Sequence, residues 1–292
     1  MSWYAEFGDA VRLDEPMDKH TWFKLGGPAK FFCTPVDLAQ LQAMVTRLRE
    51  NNLAMYVVGG GANLLVHDEG VDGAVIALSH ESFRKLEINK NIVTAGAGKD
   101  AQKFVLECTR VGLSGVECLA GIPGSIGGEI MMNAGGAFGD IGSSVQTVTV
   151  MDTNGKIFVR EKDDLVFEYR KSNINAKFII EATFDLSQDD PTRISNKVKE
   201  IWMFKKNSQP LAEYSAGCIF KNPRGLSAGA LIDQAGMKGE RIGGAQVSTK
   251  HANFICAQPG AKAADVLALI ELCRAKVLEK FDVRLETEVV IW

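Results

Sequence analysis

Apolar residues along the chain switch between two periods. Leu38, Leu41, Val45 and Leu48 recur every three or four positions, the spacing of one helix face. Thr34 and Pro35 ahead of them read as N-cap and first-turn proline, with Asp37 at N3, and Asn51-Asn52 as the stop. Phe104, Cys108 and Val111 mark a second helix closed by Gly112, and Ile194, Val198, Ile201 and Trp202 a third behind Asp190-Pro191. A short helix is predicted over residues 228–235, and Val266, Ile270, Cys273 and Val277 predict another over residues 263–280. Between these helices lie short Val/Ile-rich or alternating runs at residues 55–58, 71–78, 92–96, 145–152, 156–160, 165–170, 177–186, 251–256 and 284–291, which read as strands. Thr153-Asn-Gly155 between two of them is a hairpin signal. The pattern is that of a mixed α and β chain, with the first ~80 residues forming a small α/β unit.

One stretch fits neither period. Residues 120–139 hold seven glycines and one charged residue, Glu129. Glycine destabilises a helix or strand interior by about 0.5–1 kcal/mol against alanine, and a linker would be more polar. Such backbone either packs closely against other backbone or offers N–H groups that converge on phosphate oxygens. An earlier glycine turn, the first along the chain, at residues 59–61, closes the strand at 55–58. Two turns suit a ligand with an extended diphosphate. Gly96-x-Gly98-x-x-Ala101 also matches a relaxed dinucleotide fingerprint, but that fingerprint needs a parallel strand after its helix. Residues 112–121 lead straight into the glycine run instead, so the match reads as a turn between strand and helix.

Composition narrows the class. At 292 residues, two or three domains are expected, with a boundary near residues 206–210. A hydrophobic share of 46% with 24% charged residues is that of a soluble globular chain. The net charge of −3 gives no electrostatic case for nucleic acid or an anionic membrane, and no apolar run approaches the ~20 residues of a membrane span. The first residues are not basic-then-apolar, so no signal peptide is read and a cytoplasmic location is expected. The six cysteines form no C-x-x-C pair and histidine is sparse near them, which excludes a zinc site and predicts free thiols. Five, at 33, 108, 118, 256 and 273, read as core residues; Cys218 is the exception.

Several motifs, taken in order, resemble those of the UDP-N-acetylenolpyruvoylglucosamine reductases (UDP-N-acetylmuramate dehydrogenases). They are Thr21-Trp-Phe-Lys-Leu-Gly-Gly-Pro-Ala29, Gly59-Gly-Gly-Ala-Asn-Leu64, Gly121-Ile-Pro-Gly-Ser-Ile-Gly-Gly128, Tyr169-Arg170, Ser215-Ala-Gly-Cys-Ile-Phe-Lys-Asn-Pro223, Gln246-Val-Ser-Thr-Lys-His-Ala-Asn-Phe254 and Leu285-Glu-Thr-Glu-Val289. Each is weak alone; together they span nearly the whole chain. The resemblance implies an α+β architecture: a two-subdomain FAD-binding fold of the vanillyl-alcohol-oxidase type plus a C-terminal α/β substrate-binding domain. The expected division is 1–80 and 81–206 for the FAD subdomains and 207–292 for the substrate domain, with the terminal strand returning to the active site.

The resemblance also implies a reaction. NADPH, as co-substrate, reduces a non-covalent FAD, which reduces the enolpyruvyl ether of a UDP-sugar to a lactyl ether in peptidoglycan precursor synthesis. By motif position the catalytic residues are Arg170, Cys218 as proton donor, and Glu288. The FAD contacts are Gly59, Gly60, Gly61, Ala62, Asn63 and Leu64 from the first turn, and Gly121, Ile122, Pro123, Gly124, Ser125, Gly127, Gly128 and Asn133 from the second. Tyr169, Lys206, Lys221, Asn222, His251 and Asn253 are expected at the substrate, and no metal is expected. Two positions depart from the commoner family residues: Ala62 stands where Ser is common, and Cys218 where many members have Ser. Arg170 and Cys218 lie 48 positions apart, too close for the tyrosine-bearing loop of one subclass, so the chain reads as the short-loop (type II) subclass. Related folds with covalent flavin place a histidine beside the first glycine turn, and residues 59–63 contain none.

The residue types suit this chemistry. Reducing an enolpyruvyl double bond requires charge stabilisation beside a carboxylate and delivery of a proton. An arginine fork suits the first task, and a thiol of ordinary pKa near 8.5 is mostly protonated at pH 7, as a donor must be. Glu288, close to a substrate carboxylate, is expected to act protonated or with Arg170 as partner. Without the resemblance, Arg170 reads as a surface residue ending a strand, Cys218 as a core thiol, Glu288 as a solvent-facing strand residue and the lysines as solvated. The expected partner is a small nucleotide sugar, bound by a monomer. A flavin oxidase of the same fold acting on a sugar or alcohol, and a non-catalytic nucleotide-binding module, are the alternative readings.

Overall fold

The structure, a computed structural model, describes residues 2–292. The chain divides into two compact units, each assembled from separate stretches of sequence. The first ends its opening segment at Leu13 and continues with Phe31–Gly60 and Asp72–Phe204; the second comprises Asp14–Lys30, Gly61–Val71 and Lys205–Trp292. The chain passes from unit to unit within the strands Val11–Pro16 and Pro28–Cys33, and again at the first glycine turn.

In the first unit, helix α1 (Leu38–Glu50) buries Leu41, Met44, Val45 and Leu48 completely. Each such side chain stabilises by about 1.5–3 kcal/mol relative to exposure. The strands Met55–Val58 and Val71–Ala77 pair in parallel, joined by the crossover of residues 59–70. The larger sheet is antiparallel throughout, in the order Ile157–Glu161, Val145–Met151, Phe178–Asp185, Ile92–Gly96, Leu86–Asn89. Ile92–Gly96 is therefore not part of a parallel dinucleotide unit, as the demoted fingerprint requires. Helices α2 (Ala101–Arg110) and α3 (Ile126–Met131) follow, and the unit ends at Phe204 within α4 (Pro191–Ser208).

The second unit has its own core, in which Phe23, Leu65, Phe220, Ile232, Val266 and Ile270 are buried. Helix α5 (Ala228–Gln234), helix α6 (Ala263–Phe281) and a three-stranded antiparallel sheet (Arg241–Ile242, Ala245–Val247, Ile255–Ala257) surround it. Asp68 caps α6 from far away in sequence: its carboxylate oxygens accept from the N–H groups of Ala263 (2.8 Å) and Ala264 (3.0 Å), two of the donors a helix start leaves unpaired. Val290–Ile291 pairs in parallel with Leu64–Leu65, the two residues that follow the first glycine turn.

Several sequence expectations need correction. α1 starts at Leu38, not Pro35, because Asp37 is extended (φ −157°) and its side chain accepts from the Gln40 N–H. Trp202 is 42% exposed. The buried stripe runs Ile194, Ile201, Lys205, and 3.6 residues per turn swings position 202 off it. Residues 165–170 hold a strand only at Phe167–Glu168. Within residues 251–256 only Ile255 and Cys256 are strand, because Ser248 Oγ accepts from Lys250 N–H (3.1 Å) and folds residues 248–254 into a turn. At the C-terminal end only Val290–Ile291 forms a strand, although Thr287 makes one bridge to Phe220.

Candidate active site

In the second unit a chain of backbone bonds joins the first glycine turn to the predicted acid and thiol. Val290 N–H donates to Asn63 O (3.1 Å), and Asn63 Nδ2 donates to Glu288 O (3.1 Å). Glu288 N–H donates to Ile219 O (2.8 Å), and Lys221 N–H to Glu286 O (2.9 Å). Cys218 thus enters the segment whose opposite strand carries Glu288. On its other side Asn253 grips the same segment three times. Its carbonyl accepts from Ile219 N–H (2.8 Å), its Oδ1 from Phe220 N–H (3.0 Å), and its Nδ2 donates to Phe220 O (2.8 Å). Asn253 is buried, so these bonds are made away from water, where an unpaired amide is costly.

Cys218 is half-buried, whereas the other five cysteines are buried and all six are free. Burial pushes the thiols of Cys33, Cys108, Cys256 and Cys273 up to about 12, which keeps them protonated and inert. Among the six, only Cys218 is reachable. His251, two residues before Asn253, accepts from the Asn253 N–H at Nδ1 (3.3 Å) and packs edge-on against Phe254. Burial lowers its pKa, with the Lys238 charge adding to that, so the neutral ring is favoured.

The first unit holds Arg170 and the second glycine run. Phe167–Glu168 and Lys171–Ser172 form a minimal hairpin in which Glu168 faces Lys171, so Tyr169 and Arg170 are its turn. Arg170 does not end a long strand as expected: it occupies a left-handed position (φ +58°) that turns usually give to Gly or Asn. Its Nη1 donates to Gly135 O (2.9 Å), and its guanidinium carbon lies 5.2 Å from the Tyr169 ring centre. Asn133 Nδ2 donates to Glu168 O (3.0 Å) and its Oδ1 accepts from Gly142 N–H (3.0 Å). Ser172 Oγ donates to Met131 O (3.2 Å). The arginine turn is thereby fixed to the backbone that leaves the glycine run.

Within this unit the two glycine turns touch. A side chain at Gly60 would come within 2.8 Å of Gly124 Cα, and one at Gly59 would strike Ser125 Oγ. Among the described residues, no protein acceptor takes the N–H groups of Gly60, Gly124 or Ser125. The same holds for Gly61, Ala62 and Asn63 in the second unit. Rows of unsatisfied backbone donors beside bare glycine fit the diphosphate of FAD.

Other expected ligand contacts fall differently. The amides of Asn133 and Asn253 are engaged by protein backbone, so these two brace the site's own loops, while Asn222 Oδ1 accepts from Ala228 N–H (3.0 Å). Lys221 lies 3.6 Å from Glu286 and half-exposed, Lys206 is exposed while Lys205 beside it is buried, and Tyr169 is exposed. No group of three metal-ligating side chains exists among the described residues, and no described helix is long and apolar enough to cross a membrane. No motif marks Gln102, which nonetheless makes three bonds to the second glycine turn.

Residues 29–160 match the profile of the FAD binding domain, and residues 209–292 that of the UDP-N-acetylenolpyruvoylglucosamine reductase C-terminal domain. UDP-N-acetylenolpyruvoylglucosamine reductase of Clostridium botulinum is 41% identical over 281 residues, 96% of this chain and 91% of that one. The chain belongs to the UDP-N-acetylenolpyruvoylglucosamine reductase family. The reductase of Heliobacterium modesticaldum is 42% identical over 94% of this chain and 88% of its own. The crystal structure of the Thermus caldophilus reductase superposes with a TM-score of 0.82 at 35% identity, covering 97% of this chain and 98% of that one. The expected α+β fold, with an FAD-binding part and a C-terminal family domain, is therefore that of this reductase family.

Proposed function

We propose that this chain is an FAD-containing reductase that uses NADPH to convert UDP-N-acetylglucosamine enolpyruvate to UDP-N-acetylmuramate, a step in making peptidoglycan precursors. The observation that carries the reading is the run of bonds from Asn63 through Glu288 to Ile219, which ties the flavin turn to the carboxylate and the thiol. FAD, held non-covalently by the glycine turns, supplies hydride equivalents drawn from NADPH. The remaining work belongs to the chain's own side chains. Arg170 binds the enolpyruvyl carboxylate and offsets the negative charge that develops beside it. Cys218 Sγ–H gives its proton to the adjacent carbon, and the thiolate is then reprotonated from water. Glu288 works next to that proton transfer, in a protonated form or paired with Arg170.

Lys206, Lys221 and Asn222 are proposed for the UDP diphosphate, with Tyr169 and His251 as further substrate contacts; Asn253 holds the thiol's segment. Residues 1–80 and 81–206 are read as the two FAD-binding subdomains and residues 207–292 as the substrate domain. One copy of the chain supplies every group the reaction needs, which supports a monomer. Six free thiols and a nucleotide-sugar substrate suit the cytoplasm.

The test is anaerobic. NADPH should bleach the yellow protein, and the enolpyruvyl nucleotide sugar should restore the colour without oxygen. Reoxidation by oxygen alone would instead make the protein an oxidase of the same fold, and a colourless, flavin-free protein would make it a nucleotide-binding module.

A further inference from the structure

We propose that Gln102 is a positioning residue for the cofactor: it fixes the second glycine turn so that the N–H groups of Gly124 and Ser125 face the FAD diphosphate. The inference rests on the FAD reading above and assigns a role to a residue that neither motif nor family resemblance marks.

Gln102 sits in the first turn of α2, behind the Asp100 cap, whose Oδ1 accepts from Lys103 N–H (2.8 Å). Its Nε2 donates to Leu119 O (2.9 Å) and Ile122 O (2.5 Å), and its Oε1 accepts from Gly121 N–H (2.9 Å). The gripped segment is itself a turn. Ile122 N–H donates to Leu119 O (2.9 Å), Ala120 lies at φ −53°, ψ 125°, and Gly121 at φ +73°. Those are the angles of a type II turn with glycine at its third position. One amide therefore binds the turn's first and last carbonyls and the N–H at its glycine. Only a group with two donors and an acceptor can do this, which excludes the isosteric carboxylate of Glu and the apolar chain of Met.

The grip is passed forward by short, stiff chain. Pro123 fixes its own φ. Gly124 O then accepts from the N–H of Ala101 (3.1 Å), the residue before Gln102, so α2 holds both ends of residues 119–124. The next N–H groups, of Gly124 and Ser125, have no protein acceptor among the described residues. Leu119 and Ala120 are anchored by burial and by the Ile122 bond regardless of Gln102. Losing the amide should leave the turn in being and shift its aim, so the effect belongs to cofactor affinity more than to folding.

The experiment compares wild type, Gln102→Glu and Gln102→Met. Each is purified with its flavin, stripped, and titrated with FAD by flavin fluorescence, and the apoprotein melting temperature is recorded. Both variants should bind FAD about tenfold or more weakly, a loss of about 1.4 kcal/mol, and release it correspondingly faster. Apoprotein melting should stay within about 2 °C of wild type. Gln102→Glu should be the weaker binder, because it sets a carboxylate against two carbonyls. An FAD affinity within about twofold of wild type in folded Gln102→Met would overturn the inference and leave the FAD reading intact. A lowered apoprotein melting temperature with unchanged FAD affinity, or failure of both variants to fold, would assign Gln102 to stability and overturn it too. A wild type that binds no FAD would overturn the functional reading itself and this inference with it.

Discussion

Each unit carries its proposed catalytic residue on a turn with a left-handed residue, and the two fill that position differently. In the first unit the left-handed residue is Arg170 itself, at φ +58°. In the second it is Gly217, at φ +74°, and Cys218, the proposed proton donor, follows it. A side chain in this conformation costs about 1–2 kcal/mol, and glycine escapes that cost. The thiol thus stands on relaxed backbone and is aimed by its surroundings, through Asn253 on one side and residues 286–289 on the other. Arg170 stands on the strained backbone of a hairpin two residues deep, with its Nη1 donating to Gly135 O. Strain of this kind persists where the rest of the structure over-determines it, often at functional sites.

Removing either side chain is the most severe way to break the comparison. Cys218→Ala should lower kcat by about 10²–10⁴, the usual worth of general acid catalysis, while Cys218→Ser keeps much of the activity. The loss should fall on reoxidation only: rapid mixing with NADPH should bleach the flavin at the wild-type rate, and the enolpyruvyl substrate should then fail to restore it. Slow bleaching with normal reoxidation would take the proton-donor role from Cys218. Arg170→Ala should lose more than about tenfold in kcat, over 1.4 kcal/mol, with its flavin retained. Survival of kcat within that limit would sink the assignment.

Asn253 tests whether the thiol is aimed from outside. Asn253→Ala strips partners from the Phe220 N–H and carbonyl, and each buried orphan costs about 1–3 kcal/mol. Lower thermal stability is expected together with a lower kcat, whereas flavin reduction by NADPH should be unaffected. A variant that melts early yet turns over normally would show that Asn253 stabilises the segment without aiming Cys218.

Much of this was legible in sequence and some could not be. The glycine turns, α6 and the hairpin around Gly155 follow from short-range rules, whereas Cys218 was marked by its motif alone, since its local pattern reads as one more core thiol. Arg170 was found by its motif, but its conformation was not, because residues 165–170 look like a strand, and pairing with residues 171–173 together with bonds from Asn133 and Ser172 folds them into a turn. Gln102 carries no local signal at all, since a glutamine in a helix's first turn is ordinary until the chain at 119–122 arrives beside it. The same holds for residues 14–30 and 61–71, whose membership in the second unit depends on partners such as Trp292 and Ala263 far along the chain.

A milder perturbation is pH. Burial lowers the His251 pKa in the folded protein, and Lys238 lowers it further. Between that lowered value and the unfolded value near 6.5, the unfolded chain binds the extra proton, so stability rises with pH across the window. The stabilisation is fully present above the unfolded pKa and is lost as pH falls through the folded one. Protonation also removes the Nδ1 acceptor of the Asn253 N–H. Wild type should therefore melt at a lower temperature as pH drops below about 6.5, and His251→Gln should flatten that slope. An unchanged slope would mean that other groups set the acid limit.

The smallest expected effect isolates the backbone at Arg170. Arg170→Ala and Arg170→Gly both delete the guanidinium and its bond to Gly135, so both should lose activity alike. They differ only in what remains at φ +58°. Alanine keeps a strain of about 1–2 kcal/mol in the folded state. Glycine removes it, but makes the unfolded chain freer, which returns about 0.4–1 kcal/mol. The balance leaves Arg170→Gly more stable than Arg170→Ala by about 0.5–1 kcal/mol, readable as a higher denaturant midpoint at equal slope. That order is the reverse of what the pair gives in an unstrained helix or strand. An Arg170→Ala variant as stable as Arg170→Gly would mean that the turn relaxes once the side chain is gone. The strain would then belong to the arginine's own contacts, and the contrast with the glycine-led thiol turn would be one of packing and not of backbone.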